Sequence, residues 1–384
     1  MIRKLNSQDT DRVLEIWLAS NIQAHPFVPE EYWQGNYQQV KEQLQSALVY
    51  VYEERQTILG FVGLVDRYVA GIFVDSACRG RGIGKQLLEE AKRDRPELFL
   101  HVYQKNTRAL AFYLREGFTA IDLLLDQETG QAEWLMRWNK RPDEQDAGKK
   151  VPERGKPFVS AVIVAAGNST RMGESKPFIF LENKPVLAHV LAAFDQVEEI
   201  GEIVIVCRKQ EQEKARSILQ TYPIAKPVLF AQGGDTRQQS VSNGICCTSS
   251  QAAYFAIHDG ARVLVTPQLI QNVLADAFTY GASAAAMPVK DTIKEIDKNG
   301  FVSSTPDRSK IWAVQTPQIF QRAAYLNAMC RAQAAGKDYT DDCQLLEQAG
   351  AKVHLCMGSY ENLKLTTQED LILAQTILSR RNQE

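Results

Sequence analysis

The residues that could do chemistry fall into two groups. The first is Ala165, Ala166 and Gly167 at the end of an apolar run, followed by Arg171 and Lys176, all within AAGNSTRMGESKPFIF. Two cations on a loop after a strand suit nucleotidyl transfer. A triphosphate attacked at its α-phosphorus gains negative charge on its equatorial oxygens and on the leaving pyrophosphate, and fixed positive groups with a metal ion stabilise that charge. The second group is Arg79, Gly80, Gly82 and Gly84 in CRGRGIGKQLLEEAKR, a glycine-rich turn between a strand-like and a helical run. Unpaired N–H groups and the dipole at a helix N-terminus can hold phosphate there. Taken alone, those four residues fit a tight turn without a ligand equally well.

The elements that must position these groups show in the hydrophobic spacing. Ahead of the first turn, DTDRVLEIWLAS reads as a helix with Val13, Ile16 and Trp17 on one face, and ALVYVYEE and TILGFVGLVD read as strands. The strand GIFVD then gives way to Ile83, Leu87, Leu88 and Ala91 at helical spacing. Further on, LFLHVYQKN and TRALAFYLREGF read as a strand and a helix with a glycine stop. In the C-terminal part the strand-like SAVIVAAG, EIVIVC, VLFA and YFAIHDGAR alternate with helical stretches such as PVLAHVLAAFDQV and TPQLIQNVLADAF. That alternation predicts an α/β fold with a largely parallel sheet and helices on both faces. Between the two parts lies the charged, proline-interrupted NKRPDEQDAGKKVPERGKP, residues 139–157, read as a linker. Domains are therefore expected at 1–138 and 158–384.

With 44 Lys+Arg against 46 Asp+Glu among 384 residues, the formal charge is -2, so no global basic field exists to gather nucleic acid or an anionic membrane. No apolar stretch is long enough to span a bilayer, and MIRKLNSQDTDRVLEIW lacks the apolar core of a signal peptide. A cytoplasmic location is the expectation. Seven cysteines without a CxxC pair, and five histidines apart from them, argue against a disulfide framework or structural zinc.

Over nearly all of the first 138 residues the chain resembles the GNAT family of acetyl-CoA-dependent N-acetyltransferases, through RGRGIG and NTRALAFYLREGF. The resemblance implies a mixed-sheet domain in which Arg79, Gly80, Gly82 and Gly84 cradle the coenzyme pyrophosphate and Asn106 meets the pantetheine arm. Tyr113 would protonate the departing thiolate, a general-acid role; a packing aromatic is the alternative at that position. The general base is not visible, with His25 and Glu30 of AHPFVPEEYW as candidates, and the acetyl acceptor cannot be read.

From Val159 to Leu378 the chain resembles the 2-C-methyl-D-erythritol 4-phosphate cytidylyltransferases. The resemblance rests on six ordered motifs: the AAGNSTRMG loop, GGDTRQQSVSNGI, HDGAR, PVKDTIKEID, TPDRSKIWAVQTPQIF and YENLKLTT. It implies a Rossmann-like domain with a β-arm, CTP and methylerythritol phosphate as substrates, and Mg2+ as cofactor. Ala165, Ala166, Gly167, Gly234, Asp235 and Ser240 would recognise cytosine and ribose. Arg171 and Lys176 would hold the triphosphate, and Lys364 would bridge the reacting phosphates. Asp259, Arg262 and Thr316 would position the acceptor. Thr292 and Arg308 would join them from the partner subunit of a homodimer, on an arm spanning residues 288–315. Asn299-Gly300 is a hairpin signal within that arm.

Three positions depart from the family pattern. The lysine loop reads Ser175-Lys176-Pro177-Phe178, Val263 follows HDGAR where proline is usual, and Cys343 stands where a small residue is common. A pentitol-phosphate cytidylyltransferase, acting for instance on ribitol 5-phosphate, is the competing reading of the acceptor pocket. A coenzyme-binding module without catalysis is the competing reading of the first domain.

Overall fold

The structure, a computed structural model, describes residues 1–140, 156–167 and 175–383. Most of the expected linker and Arg171 lie outside the described residues. The chain divides into two compact units, Met1–Pro152 with Cys330–Lys337 and Glu153–Met329 with Asp338–Glu384.

In the first unit, strand β1 (Ile2–Lys4) leads through helices α1 (Thr10–Ala24), α2 (Glu30–Gly35) and α3 (Tyr37–Gln43) to strands β2 (Leu48–Glu54), β3 (Thr57–Val65) and β4 (Tyr68–Val74). Then follow α4 (Ile83–Lys92), β5 (Glu97–Tyr103), α5 (Thr107–Arg115), β6 (Thr119–Leu125) and β7 (Ala132–Asn139). The strands form one sheet in the order β1-β2-β3-β4-β5-β7-β6. Helix α1 buries Val13, Ile16 and Trp17, and α4 buries Ile83, Leu87, Leu88 and Ala91, the positions their spacing predicts. The one parallel neighbour pair, β4 with β5, is in register only at Tyr68 opposite Phe99. Beyond that pair β4 stays with β3 and β5 stays with β7. The two central strands therefore part, leaving backbone edges that no ladder joins across the gap.

In the second unit, β8 (Val159–Val164) is followed by the short pair β9 (Phe180–Leu181) and β10 (Lys184–Pro185), then α6 (Val186–Asp195), β11 (Ile200–Cys207), α7 (Gln212–Thr221) and β12 (Val228–Gln232). Next come α8 (Arg237–Ile245), β13 (Tyr254–Asp259), α9 (Pro267–Tyr280), β14 (Ala282–Pro288) and the hairpin β15 (Glu295–Ile296) and β16 (Val302–Ser304). Strand β17 (Trp312–Gln321), helix α10 (Arg322–Ala334, whose residues from Cys330 on group with the first unit), helix α11 (Asp342–Gln348), β18 (His354–Met357) and α12 (Gln368–Arg381) complete it. The main sheet runs β12-β11-β8-β13-β17-β14-β18, parallel except where β17 lies antiparallel to β13 and β14. Strands β8 and β11 are apolar almost throughout because both faces are covered. Residues of α6 and α9 pack with Ala161 and Ile163 in one cluster. On α8, Gly244 lies so close to Val162 and Val206 that a Cβ there would collide with both.

The chain moves from β8 outward through β11 to β12 and then returns to β13 on the other side of β8. That reversal opens a crevice at the carboxyl ends of β8 and β13, where α/β sheets bind ligands. The hairpin sits where Asn299-Gly300 predicts it, with Gly300 in the left-handed region at φ 85°. No helix among the described residues is long and apolar enough to cross a membrane, and all seven cysteines are free thiols.

Candidate functional site

Three loops meet at the carboxyl edge of the second sheet. After β8, the Ala165 N–H donates to Val206 O at 2.8 Å; after β13, the Gly260 N–H donates to Val164 O at 2.8 Å. After β12, the Gly233 N–H donates to Cys207 O at 3.0 Å, and a Cβ on Gly233 would come within 2.3 Å of Ala166 Cβ. The double glycine thus lets the second loop lie against the first. Ser240, expected to contact nucleotide, serves the loop itself: its Oγ accepts from Gly234 N–H at 3.0 Å and donates to Thr236 O at 2.9 Å. The Asp235 N–H is held by Gln239 at 2.9 Å. Arg208 adds a guanidinium here, donating to Gly167 O at 2.9 Å.

Next to these loops, Asp259 gathers three cations. Lys364 Nζ lies 2.9 Å from its carboxylate, Arg237 Nε 3.4 Å and Arg262 Nε 3.7 Å. Burial opposes ionisation of Asp259, but Arg237 and Lys364 outweigh it and hold the carboxyl well below the usual carboxylate range. Arg237 is itself fixed by buried Asp342 at 2.6 Å, and Asp342 also accepts the Tyr325 hydroxyl at 2.6 Å. The Arg262 Nε–H is buried and makes no hydrogen bond, a donor facing the cluster without an acceptor at bonding distance. Lys364 is 43% exposed, so it is the cation best able to turn toward an incoming phosphate.

Behind Asp259 the backbone is braced by Thr316, expected from the sequence at the acceptor. Its buried hydroxyl accepts from the Asp259 N–H at 3.0 Å and bonds to His258 Nδ1 at 3.0 Å. His258 Nε2 faces Arg262 O at 3.3 Å. Burial lowers the His258 pKa to about 3, so the ring is neutral. With its proton on Nε2 toward the Arg262 carbonyl, Nδ1 accepts from Thr316. Asn362 completes the brace: its side-chain amide donates to Thr316 O at 2.9 Å, and its backbone carbonyl accepts from Arg262 Nη1 at 2.8 Å.

Arg237, Asp342, Tyr325, His258 and Asn362 escape the sequence reading. Arg237, His258 and Asn362 stand inside quoted motifs, GGDTRQQSVSNGI, HDGAR and YENLKLTT, and Asp342 stands next to Cys343, but nothing local marks them as partners. Lys176 opens the single turn Lys176–Phe178, anchored by buried Pro177 and Phe178. Thr292 and Arg308 stand exposed on the arm, where Arg308 Nη1 donates to Lys290 O at 2.9 Å. Neither bonds to the Asp259 cluster among the described residues. Cys343 is buried and its thiol pKa is raised by that burial.

In the first unit, Gly80 and Gly82 take the left-handed conformation, with φ of 83° and 78°, and Gly82 opens α4. Both positions face open space, so α4 presents free N–H groups at its start. Gly84 is the second residue of that helix, near Phe112. Arg79 turns inward to brace the loop, donating to Val74 O at 3.1 Å and Gln23 Oε1 at 2.8 Å. Asn106 likewise spends its side chain within the fold: Oδ1 accepts from Ala109 N–H at 3.1 Å, capping α5, and Nδ2 meets His25 Nε2 at 3.0 Å. Burial lowers the His25 pKa to about 4, so the ring is neutral, and Glu30 stands exposed at the first turn of α2. Tyr113 is buried between Phe112 and Phe118, and its phenol keeps its proton because burial raises its pKa.

Comparison with known proteins matches these two units to two families. The family model for 2-C-methyl-D-erythritol 4-phosphate cytidylyltransferase covers residues 159–380, and the Acetyltransferase (GNAT) domain model covers residues 45–120. The 2-C-methyl-D-erythritol 4-phosphate cytidylyltransferase of Caldanaerobacter subterraneus subsp. tengcongensis is 44% identical over 225 residues, 58% of this chain and 99% of its own length. That of Desulforamulus reducens is 43% identical over 227 residues, covering 58% of this chain and 97% of its own. The crystal structure of 4-diphosphocytidyl-2C-methyl-D-erythritol synthase from Anaerococcus prevotii aligns with a TM-score of 0.54 at 32% identity, over 59% of this chain and 100% of that one.

Proposed function

The chain belongs, over residues 159–380, to the 2-C-methyl-D-erythritol 4-phosphate cytidylyltransferase family, and from that premise we propose that its second unit transfers CMP from CTP to methylerythritol phosphate. The observation that carries this reading is the trio of cations around Asp259, set beside the glycine loops at the crevice of the sheet. The acceptor's phosphate oxygen attacks the α-phosphorus, the bond to the β-phosphate oxygen breaks, and pyrophosphate leaves with the electron pair. Lys364 turns from Asp259 to the phosphates, the Arg262 Nε–H finds its acceptor on the substrate, and Arg237 stays to balance Asp259. Ala165, Ala166, Gly167, Gly234 and Asp235 offer backbone groups to the nucleotide. Arg171 and Lys176 hold its triphosphate.

Among the described residues no three His, Cys, Asp or Glu side chains gather as metal ligands, and Asp259 is occupied by cations. The described side chains offer no ligand set for a resident Mg2+; the ion would arrive with the phosphates of CTP.

The arm of residues 288–315 exposes Ile296, Phe301 and Val302, a surface suited to a second copy of the chain. A homodimer carrying Thr292 and Arg308 into the partner's crevice is part of this proposal. The first unit is an acetyl-CoA-dependent N-acetyltransferase, with the pyrophosphate at the Gly80–Gly84 turn and Tyr113 as proton donor. A cytoplasmic setting suits both substrates and the free thiols. Pyrophosphate release is the test of the second unit: it should require CTP and methylerythritol phosphate together. Release with CTP and ribitol 5-phosphate alone would shift the assignment to the pentitol enzymes.

A further inference from the structure

Where β4 and β5 part, three side chains from three strands form an array with no role assigned so far. The Tyr68 hydroxyl on β4 bonds to His101 Nδ1 on β5 at 3.0 Å, and His101 Nε2 stands 4.0 Å from Glu133 Oε1 on β7. Tyr68 belongs to the last registered pair before the strands separate, so the array sits at the apex of the gap. Tyr113 is close enough for its phenol to feel the charge of Tyr68. The expected proton donor and this array therefore share one neighbourhood.

Burial fixes the protonation of the array. It raises the Tyr68 pKa and lowers that of His101, so the phenol donates to Nδ1 and the neutral imidazole presents its Nε2–H toward Glu133. At 4.0 Å that contact is too long for a hydrogen bond. The Glu133 side chain is only 21% exposed, yet its carboxylate accepts no hydrogen bond among the described residues. Burial first, and Asp126 second, raise its pKa to about 7. A half-buried carboxylate with neither donor nor cation is destabilised unless it takes up a proton or meets a positive ligand.

The surrounding charges define that ligand. Asp126 lies beyond the end of β6, bonded by the Tyr103 hydroxyl at 2.8 Å, and Asp122 on β6 stands in register with Leu135 of β7. From α2, Tyr32 contributes a hydroxyl held by Glu128 at 2.7 Å. Arg137, four residues along β7, is engaged with Glu97 at 3.0 Å, and Lys105, just beyond β5, stands over the Phe27 ring. The field around Glu133 is thus negative.

We propose that Glu133 is the general base of the first unit, with His101 as its positioning residue, and that the acceptor is a primary amine bearing a second positive charge. This rests on reading the unit as an acetyl-CoA-dependent acetyltransferase. Glu133 takes one proton from the acceptor ammonium. The neutral nitrogen attacks the thioester carbonyl, the N–C bond forms, and the C–S bond breaks with its pair left on sulfur. The Tyr113 phenol protonates the thiolate, and the excess proton on the new amide nitrogen restores the phenol. The proton on Glu133 passes to solvent, so one proton is released per turnover.

The test measures coenzyme thiol release by the full chain with spermidine, agmatine and the singly charged benzylamine, alongside calorimetric binding of acetyl-CoA. The wild type should prefer the two polycations, and its kcat/KM should rise with pH through about 7, at the same pH for each amine because the limb belongs to Glu133. Glu133→Gln should bind acetyl-CoA normally, lose that limb and fall in kcat/KM by about 10²-fold or more. His101→Phe removes an N–H dipole that favours the carboxylate, so the limb should remain and move to higher pH. Near-normal turnover with an unchanged profile in Glu133→Gln overturns the base assignment alone. Acetyl-CoA binding without transfer to any amine by the wild type overturns this inference and the acetyltransferase reading together.

Discussion

Asp259 shows how much of the site depends on one carboxylate. Its ionisation is held by Arg237 and Lys364 against burial, and Arg237 is held in turn by Asp342. Removing one partner from such a buried pair leaves an uncompensated charge, so Asp342→Ala should cost about 3–5 kcal/mol of stability, read as a lowered Tm. Asp342→Asn keeps an acceptor for Tyr325 but frees Arg237 to shift. Turnover should then fall about 10²-fold with CTP affinity little changed, since small misplacement acts on the reacting geometry. The pH dependence has a definite sign. Because the folded pKa of Asp259 is lowered, its contribution to stability is fully present above the unfolded value of about 3.9 and is lost as pH falls toward the folded one. The stabilities of wild type and Asp259→Asn should converge in that acid range, as measured by denaturant unfolding at stepped pH. The residues of HDGAR and GGDTRQQS were legible as motifs, but Asp342 lies 105 residues from Arg237. A charge pair at that separation leaves no local pattern. Ser240 and Thr316 are expected from the sequence to contact substrate, and in the structure their hydroxyls brace the loops from within.

Among the elements, α4 was the most readable. Its four buried positions follow helical spacing, and the left-handed Gly82 marks its start. The gap between β4 and β5 was not readable, because pairing register depends on which strands become neighbours and not on the pattern within either one. His25 and Glu30 drew notice in the sequence, whereas Glu133 sat in a plain strand until β5 was placed beside it. The arm was legible from Asn299-Gly300 and from its few apolar residues, and Ile296, Phe301 and Val302 are exposed in the hairpin. If the arm serves a partner's crevice, Arg308→Ala and Lys364→Ala, each nearly inactive alone, should complement on subunit exchange. Half the dimers are then mixed, and each mixed dimer has one intact site, so activity should recover to roughly a quarter of normal. No recovery after demonstrated exchange would place Arg308 in its own subunit's site.

At the scale of the whole molecule, two unrelated architectures share one chain. Alternating strands and helices made the second unit's sheet legible, while the antiparallel insertion of β17 between β13 and β14 was not, since a strand's direction leaves no trace in its composition. Separation within residues 139–157 should leave a C-terminal piece that still transfers CMP and an N-terminal piece that still binds acetyl-CoA, as followed by pyrophosphate release and calorimetry. Loss of either function on cleavage would mean that the two units depend on each other. The most direct test of the account is a competition: the full chain given CTP, Mg2+ and equal amounts of methylerythritol phosphate and ribitol 5-phosphate, with the nucleotide products identified by mass spectrometry. The account predicts the cytidine diphosphate of methylerythritol as the dominant product, released with pyrophosphate. A dominant CDP-ribitol, or no product from methylerythritol phosphate, would contradict it.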